Sequence, residues 1–163
     1  ASLVGSEMCI RDRLNMFEHF FDKDLFLHLS GDITKEDVIK TMYEKAHDKG
    51  IVDERFIDSV LQREEIGDTN MNEVFALPHP MELCATDTKV VVALLDTPIK
   101  WNESNSIQIV FMLVIKQGEM QDFEHLYDIF IEIINDNKLE QKIIDSRTYD
   151  EFINVLYDGI SIE

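Results

Sequence analysis

Apolar residues recur at two different spacings along this chain, and the change of spacing separates helical from extended segments. In "TKEDVIKTMYEKAHDKG", Val38, Ile39, Met42, Tyr43 and Ala46 return at helical intervals and make one face of a helix. Thr34 and Asp37 form an acidic variant of the capping box at its start, and Gly50 stops it. Asp53 caps a second helix that turns Phe56, Ile57, Val60 and Leu61 inward and runs out through "QREE" to Gly67. The period then shortens. "EVFAL", "KVVVALL" and "IQIVFMLVI" are apolar at consecutive positions, the pattern of strands buried on both faces. From Met120 the helical period returns, with Phe123, Leu126, Tyr127, Phe130, Ile131 and Ile134 in one wide stripe. A short helix over residues 139–144 comes after it, then a last one capped by Thr148 with Glu151 and burying Phe152, Val155 and Leu156. Helices enclosing a mixed sheet predict an α/β or α+β sandwich.

One stretch fits neither period. "ASLVGSEMCIRDR" at the start does not match the rest of the chain and resembles translated adapter sequence. Residues 1–13 are therefore expected to be a non-native leader, and residues 14–163 one domain. A chain of 163 residues buries roughly two-thirds of its unfolded surface, enough for a core without disulfides or metal. With 45% hydrophobic and 29% charged residues the composition is that of a folded domain rather than a disordered one. The longest apolar run, "IVFMLVI", suits a buried strand and is far too short for a membrane helix, so no membrane insertion is expected.

Charge narrows the partners. There are 33 acidic against 15 basic residues, a net −18, and that field repels nucleic-acid phosphate. No direct contact with DNA or RNA is expected. Two cysteines, Cys9 and Cys84, make no disulfide framework, and no secretory signal opens the chain, which points to the cytoplasm.

Several chemistries lack their motifs. The five histidines, His19, His28, His47, His79 and His125, have no zinc-site spacing, so no metal is expected. Neither GxGxxG nor GxxxxGK[ST] occurs among the six glycines, and GxSxG is missing. Cys84 reads as a small buried thiol rather than the partner of His79. His79 itself stands out. In "VFALPHP" an apolar strand runs straight into a histidine held between two prolines. A ring so placed has little backbone freedom, and a neutral imidazole can act as base, ligand or phosphoryl acceptor. A turn histidine of no consequence fits the same pattern. Arg63 in "QREE" equally fits a helix surface, and His125 points away from the Phe123, Leu126 and Phe130 stripe, as an exposed histidine does.

"QREEIGDTNMNEVFALPHP" resembles the signature of the fructose/mannitol-type enzyme IIA domain of the bacterial phosphoenolpyruvate-dependent sugar phosphotransferase system. That family reads Arg-Glu-x-x-x-x-Thr, an apolar strand, then Ala-(Ile/Val)-Pro-His, matched by Arg63, Glu64, Thr69, Ala76, Leu77, Pro78 and His79. "FEHLYDIF" resembles its later His-Leu element, which marks His125 as a second active-site histidine. The resemblance implies the enzyme IIA sandwich, α/β, with a mixed central sheet flanked by helices on both faces. It implies that His79 takes a phosphoryl group from the phosphohistidine of a small phosphocarrier protein, without a cofactor. Arg63 then offers a planar fork to phosphate oxygens, Thr69 a hydroxyl hydrogen and His125 a donor near a helix N-terminus, while Glu64 and Glu65 orient Arg63 or face water. Leu77, Met81 and Leu83 would meet the phosphocarrier.

Pro80, the "FFDKDLF" lead-in and the "LYD" helix look more like the enzyme IIA-like domain that closes BglG/LicR-type transcription regulators. The expectation is a phosphohistidine sensor cut from a longer regulator with PTS-regulatory (PRD) domains, rather than a turnover enzyme. A free-standing enzyme IIA feeding a sugar-transporter IIB, and an interaction domain that is never phosphorylated, are the alternatives.

Overall fold

The computed structural model describes residues 10–161, so Cys9 and most of the expected leader lie outside the described residues. Helix α1 (Ile10–Phe20) already contains residues 10–13, and no break in secondary structure marks Leu14 as a boundary. A short 3-10 turn leads into strand β1 (Phe26–Leu29). Helices α2 (Lys35–Asp48) and α3 (Glu54–Ile66) come next, then β2 (Phe75–Ala76), β3 (Lys89–Lys100) and β4 (Ser106–Val114). Three helices close the chain, α4 (Met120–Ile134), α5 (Asn137–Ile144) and α6 (Tyr149–Ser161).

The caps read from the sequence are formed. Thr34 Oγ1 accepts the N–H of Asp37, whose carboxylate accepts the N–H of Thr34. Asp53 accepts from Arg55 N–H at the start of α3, and Thr148 accepts from Glu151 N–H at the start of α6.

The four strands lie in the order β1-β3-β4-β2. β3 and β4 pair antiparallel, while β1 runs parallel to β3 and β2 parallel to β4. The sheet is thus mixed, as expected. Its faces divide by parity: Val90, Val92 and Leu94 pack on one side with Ile109, Phe111 and Leu113, and Val91, Ala93 and Leu95 on the other with Val110 and Met112. Residues of α1, α4, α5 and α6 cover the first face, and residues of α2 and α3 the second. Phe111 centres the first core, its ring 4.8 Å from Phe75, 5.4 Å from Phe130 and 5.8 Å from Phe152.

β2 is shorter than the expected "EVFAL" strand because its neighbours take other partners. Asn72 Oδ1 accepts the N–H groups of Val74 and Phe75, and Pro78 has no N–H to continue the ladder. Asn72 is held in turn by Glu140 of α5, its Nδ2 donating to Oε2 at 2.9 Å. Glu140 is buried, and desolvation pushes its carboxyl up, the Asn72 hydrogen bond pulling it part of the way back.

A carboxyl whose folded pKa is raised favours folding below its ordinary value of 4.5 and loses that contribution as pH rises through the folded value. Glu140→Gln keeps an oxygen for Asn72 without the charge. In urea titrations the variant should be more stable than the parent at neutral pH, with the gap closing below about pH 4.5. A less stable variant at neutral pH would contradict this account of the α5–β2 contact.

Candidate functional site

β2 lies at the edge of the sheet and is gripped from both sides. On one side Val74 O accepts from Gln108 and Ile109 N–H, and Pro78 O accepts from Leu113 N–H at 2.9 Å. On the other, residues 69–71 fold back along it, with Leu77 N–H donating to Thr69 O and Met71 N–H to Phe75 O. This turn brings Thr69 beside the end of the strand, so the Thr69–His79 spacing in sequence becomes proximity in space.

His79 comes next along the chain, with its ring fixed. Its Nδ1 lies 2.9 Å from Leu77 O. A carbonyl only accepts, so Nδ1 carries the hydrogen and the lone pair of the neutral ring sits on Nε2. The ring is half-buried and lines a cavity of about 870 Å³. Arg63 and Thr69 line the same cavity, and Leu113, Phe123 and Tyr127 contribute to its apolar wall. Of the expected site residues the structure therefore brings His79, Arg63 and Thr69 together.

Arg63 is in the last turn of α3, and its Nη1 donates to Gly67 O at 2.6 Å. That engages one of five guanidinium donors and holds the fork at the cavity wall. Thr69 differs from expectation. Its hydroxyl hydrogen goes to Glu64 Oε1 and not into the cavity. Glu64 differs too: instead of orienting Arg63 it is buried, with Lys35 Nζ 2.8 Å from Oε2. Glu65 is exposed, as expected.

His125 is not brought to this cavity. α4 begins at Met120, so His125 occupies its second turn and not its positive end. It lies about 200° around the helix from Phe123, which does face the cavity. Of the three residues expected to meet a phosphocarrier, Leu77 is only 4% exposed, because it shares the strand parity of Phe75 and enters the core. Met81 stands 52% exposed at the rim, and Leu83 is half-buried. Met120 and Tyr127, 46% and 40% exposed, complete the apolar rim. Cys84 is a free thiol whose pKa burial pushes up, with Asp53 adding to the effect, an unfavourable setting for a thiolate.

Ser59 is a site residue that sequence reasoning missed. Buried in α3 one turn before Arg63, it accepts the N–H of Met81 at 2.8 Å and of Glu82 at 3.0 Å. One helix thus holds the guanidinium and the far flank of the Pro-His-Pro segment. The signal was present: Ser59 is a polar residue inside the Phe56–Val60 apolar stripe.

Residues 19–159 match the protein family described as "Phosphoenolpyruvate-dependent sugar phosphotransferase system, EIIA 2". The chain is 28% identical over 149 residues to the probable licABCH operon regulator of Bacillus subtilis, a match covering 91% of this chain and 23% of that protein. It therefore spans under a quarter of that relative. It is 25% identical over 125 residues to the mannitol-specific phosphotransferase enzyme IIA component of the same organism, covering 75% of this chain and 85% of that one. The fold is similar to the enzyme IIA mannitol chain solved in complex with phosphorylated enzyme IIB mannitol from Escherichia coli. There the TM-score is 0.72 at 18% identity, with 85% of this chain and 99% of that chain covered.

Ser59→Ala leaves two part-buried N–H groups without their acceptor and should cost about 1 kcal/mol of stability. The amides of Met81 and Glu82 should exchange with solvent faster than in the parent when followed by NMR. Unchanged exchange at both amides would remove Ser59 from the site's support.

Proposed function

The chain belongs to the EIIA 2 family of the phosphoenolpyruvate-dependent sugar phosphotransferase system, and we propose that Nε2 of His79 is its phosphoryl acceptor. The observation that carries this reading is the Nδ1–H···O=C bond to Leu77, which leaves the Nε2 lone pair free on a ring lining the same cavity as Arg63. In the step we propose, that lone pair attacks the phosphorus of the phosphocarrier's phosphohistidine. The new N–P bond forms as the donor's N–P bond breaks, and the electron pair of the broken bond returns to the donor imidazole. The Nδ1 hydrogen stays on His79, donated to Leu77 O, so the newly phosphorylated ring is an imidazolium; the donor ring, protonated on its other nitrogen, leaves as neutral imidazole, and no proton has to be moved. The remaining donors of Arg63 take the spread negative charge of the transferring group. Met81, Met120 and Tyr127 form the apolar rim on which the phosphocarrier docks. His125 enters through the resemblance and does not line this cavity.

We read the domain as the sensor module of a PRD-containing transcription regulator, in the cytoplasm beside its phosphoryl donor. The likeness to the licABCH operon regulator supports this, since it covers 91% of the chain. A phosphoryl group adds about −1.5 to −2 of charge, enough to make or break a contact with PRD domains of the same chain. The second reading, a free-standing enzyme IIA that hands the group to a IIB partner, is favoured by the 85% coverage of the mannitol-specific component.

With phosphoenolpyruvate, enzyme I and the phosphocarrier, the domain should gain about 80 Da in its intact mass, lost in acid as a phosphohistidine is. His79→Ala should gain nothing. Labelling of that variant equal to the parent would overturn the reading, and a parent that never labels would favour a plain interaction domain.

Arg63→Lys keeps the charge but loses the planar fork. Phosphorylation should slow by roughly tenfold with an unchanged melting temperature. A variant as fast as the parent would leave Arg63 a helix-surface residue.

A further inference from the structure

We propose that Lys35 is a positioning residue for phosphoryl transfer at His79, acting through Glu64 and Thr69; the proposal rests on the reading of His79 as the acceptor. Glu64 is the next residue after Arg63 in α3, and its side chain is 6% exposed. A carboxylate this buried needs a cation, and here it lies next to the residue expected to receive a dianion. Lys35 supplies the cation at 2.8 Å. The ammonium also reaches Asp68 at 3.2 Å and sits over the Trp101 ring, 4.7 Å from its centre. Three contacts from two other parts of the fold hold it in one place.

The position of Lys35 in its own helix points the same way. It is the first residue of α2, where the positive end of the macrodipole disfavours a cation. The helix gains nothing from a lysine there. Its ammonium leaves the helix end for the carboxylate of α3.

Two effects reach the site. Glu64 takes the hydroxyl hydrogen of Thr69, so the Thr69 side chain is fixed in the cavity wall. Lys35 cancels the Glu64 charge, which would otherwise repel the phosphoryl oxygens arriving beside Arg63. Neither Lys35 nor Glu64 lines the cavity. Their influence passes through Thr69 and through the local field.

The test is a double-mutant cycle read by phosphorylation kinetics over a range of phosphocarrier concentrations. Lys35→Met should lower the limiting rate by roughly ten- to a hundredfold, with the half-saturating concentration unchanged because the rim is intact. Lys35→Arg should restore most of the rate. In the Glu64→Gln background the amide oxygen still accepts the Thr69 hydroxyl and no charge needs cancelling, so Lys35→Met should then change the rate by less than about threefold. That background also keeps the comparison possible if Lys35→Met alone folds poorly. A parent labelled on His79 while Lys35→Met matches its limiting rate would overturn this proposal alone. So would an equal loss from Lys35→Met in both backgrounds. Labelling of His79→Ala at the parent's level would bring down the His79 reading and this one with it.

Discussion

Alternate residues of β3 and β4 point into two separate interiors, and almost everything else in the fold answers to that. A pair of strands apolar on both faces must be covered on both, and a single layer of helices would leave one row of Val, Ile and Leu in water. The chain meets the demand unequally. Residues of four helices pack on one face, around Phe111, and residues of two on the other. The antiparallel pair supplies the middle of the sheet, so the parallel strands β1 and β2 fall at its edges. The edge beyond β4 is where backbone can leave the sheet and carry a side chain out of the core. His79 stands there, one residue past the last proline-terminated pairing.

This placement explains how a rigid ring can sit at an accessible edge. Edge strands are ordinarily the loosest part of a sheet, and β2 is only two residues long. Its order comes from its surroundings instead: the Asn72 and Glu140 side chains at its start, the Ser59 hydroxyl beyond its end, and the backbone of the returning segment at 69–71 alongside. Two helices and one loop segment therefore converge on a stretch of about ten residues. The histidine inherits their stability without being enclosed by them.

Much of this could be read from residues alone, and the parts that could not share a cause. Helices α2, α3 and α6 announce themselves through caps and periodicity, which are local. The buried runs of β3 and β4 are equally local, as is the Pro-His-Pro segment. β1 went unread because "FLHL" is short, half-buried at every position, and a strand only by virtue of pairing with β3, far along the chain. The outer half of β3 hid behind the irregularity between Leu94 and Ile99. In the site, His79, Arg63 and Thr69 obeyed a recognisable pattern. Ser59 and Lys35 did not, since their partners lie in other elements and nothing nearby in sequence records the contact. The Glu64 carboxylate was misread for the same reason: its neighbour Arg63 was visible, and its true partners were not. Leu77 shows the complementary error, since sequence proximity to His79 suggested a surface that strand parity forbids.

The two prolines around His79 also limit what can associate with this edge. A sheet edge normally invites another strand through its unpaired N–H and C=O groups. Here Pro78 and Pro80 have no N–H to offer, and the outer side of β2 is already occupied at Ala76 by Asn70. Backbone-to-backbone extension of the sheet is closed off beside the proposed acceptor histidine. A visiting protein has to recognise side chains, and it can leave without unzipping a ladder. For the phosphoryl exchange proposed at His79, an edge that refuses strand addition would keep each encounter brief and keep the exposed segment from seeding aggregation.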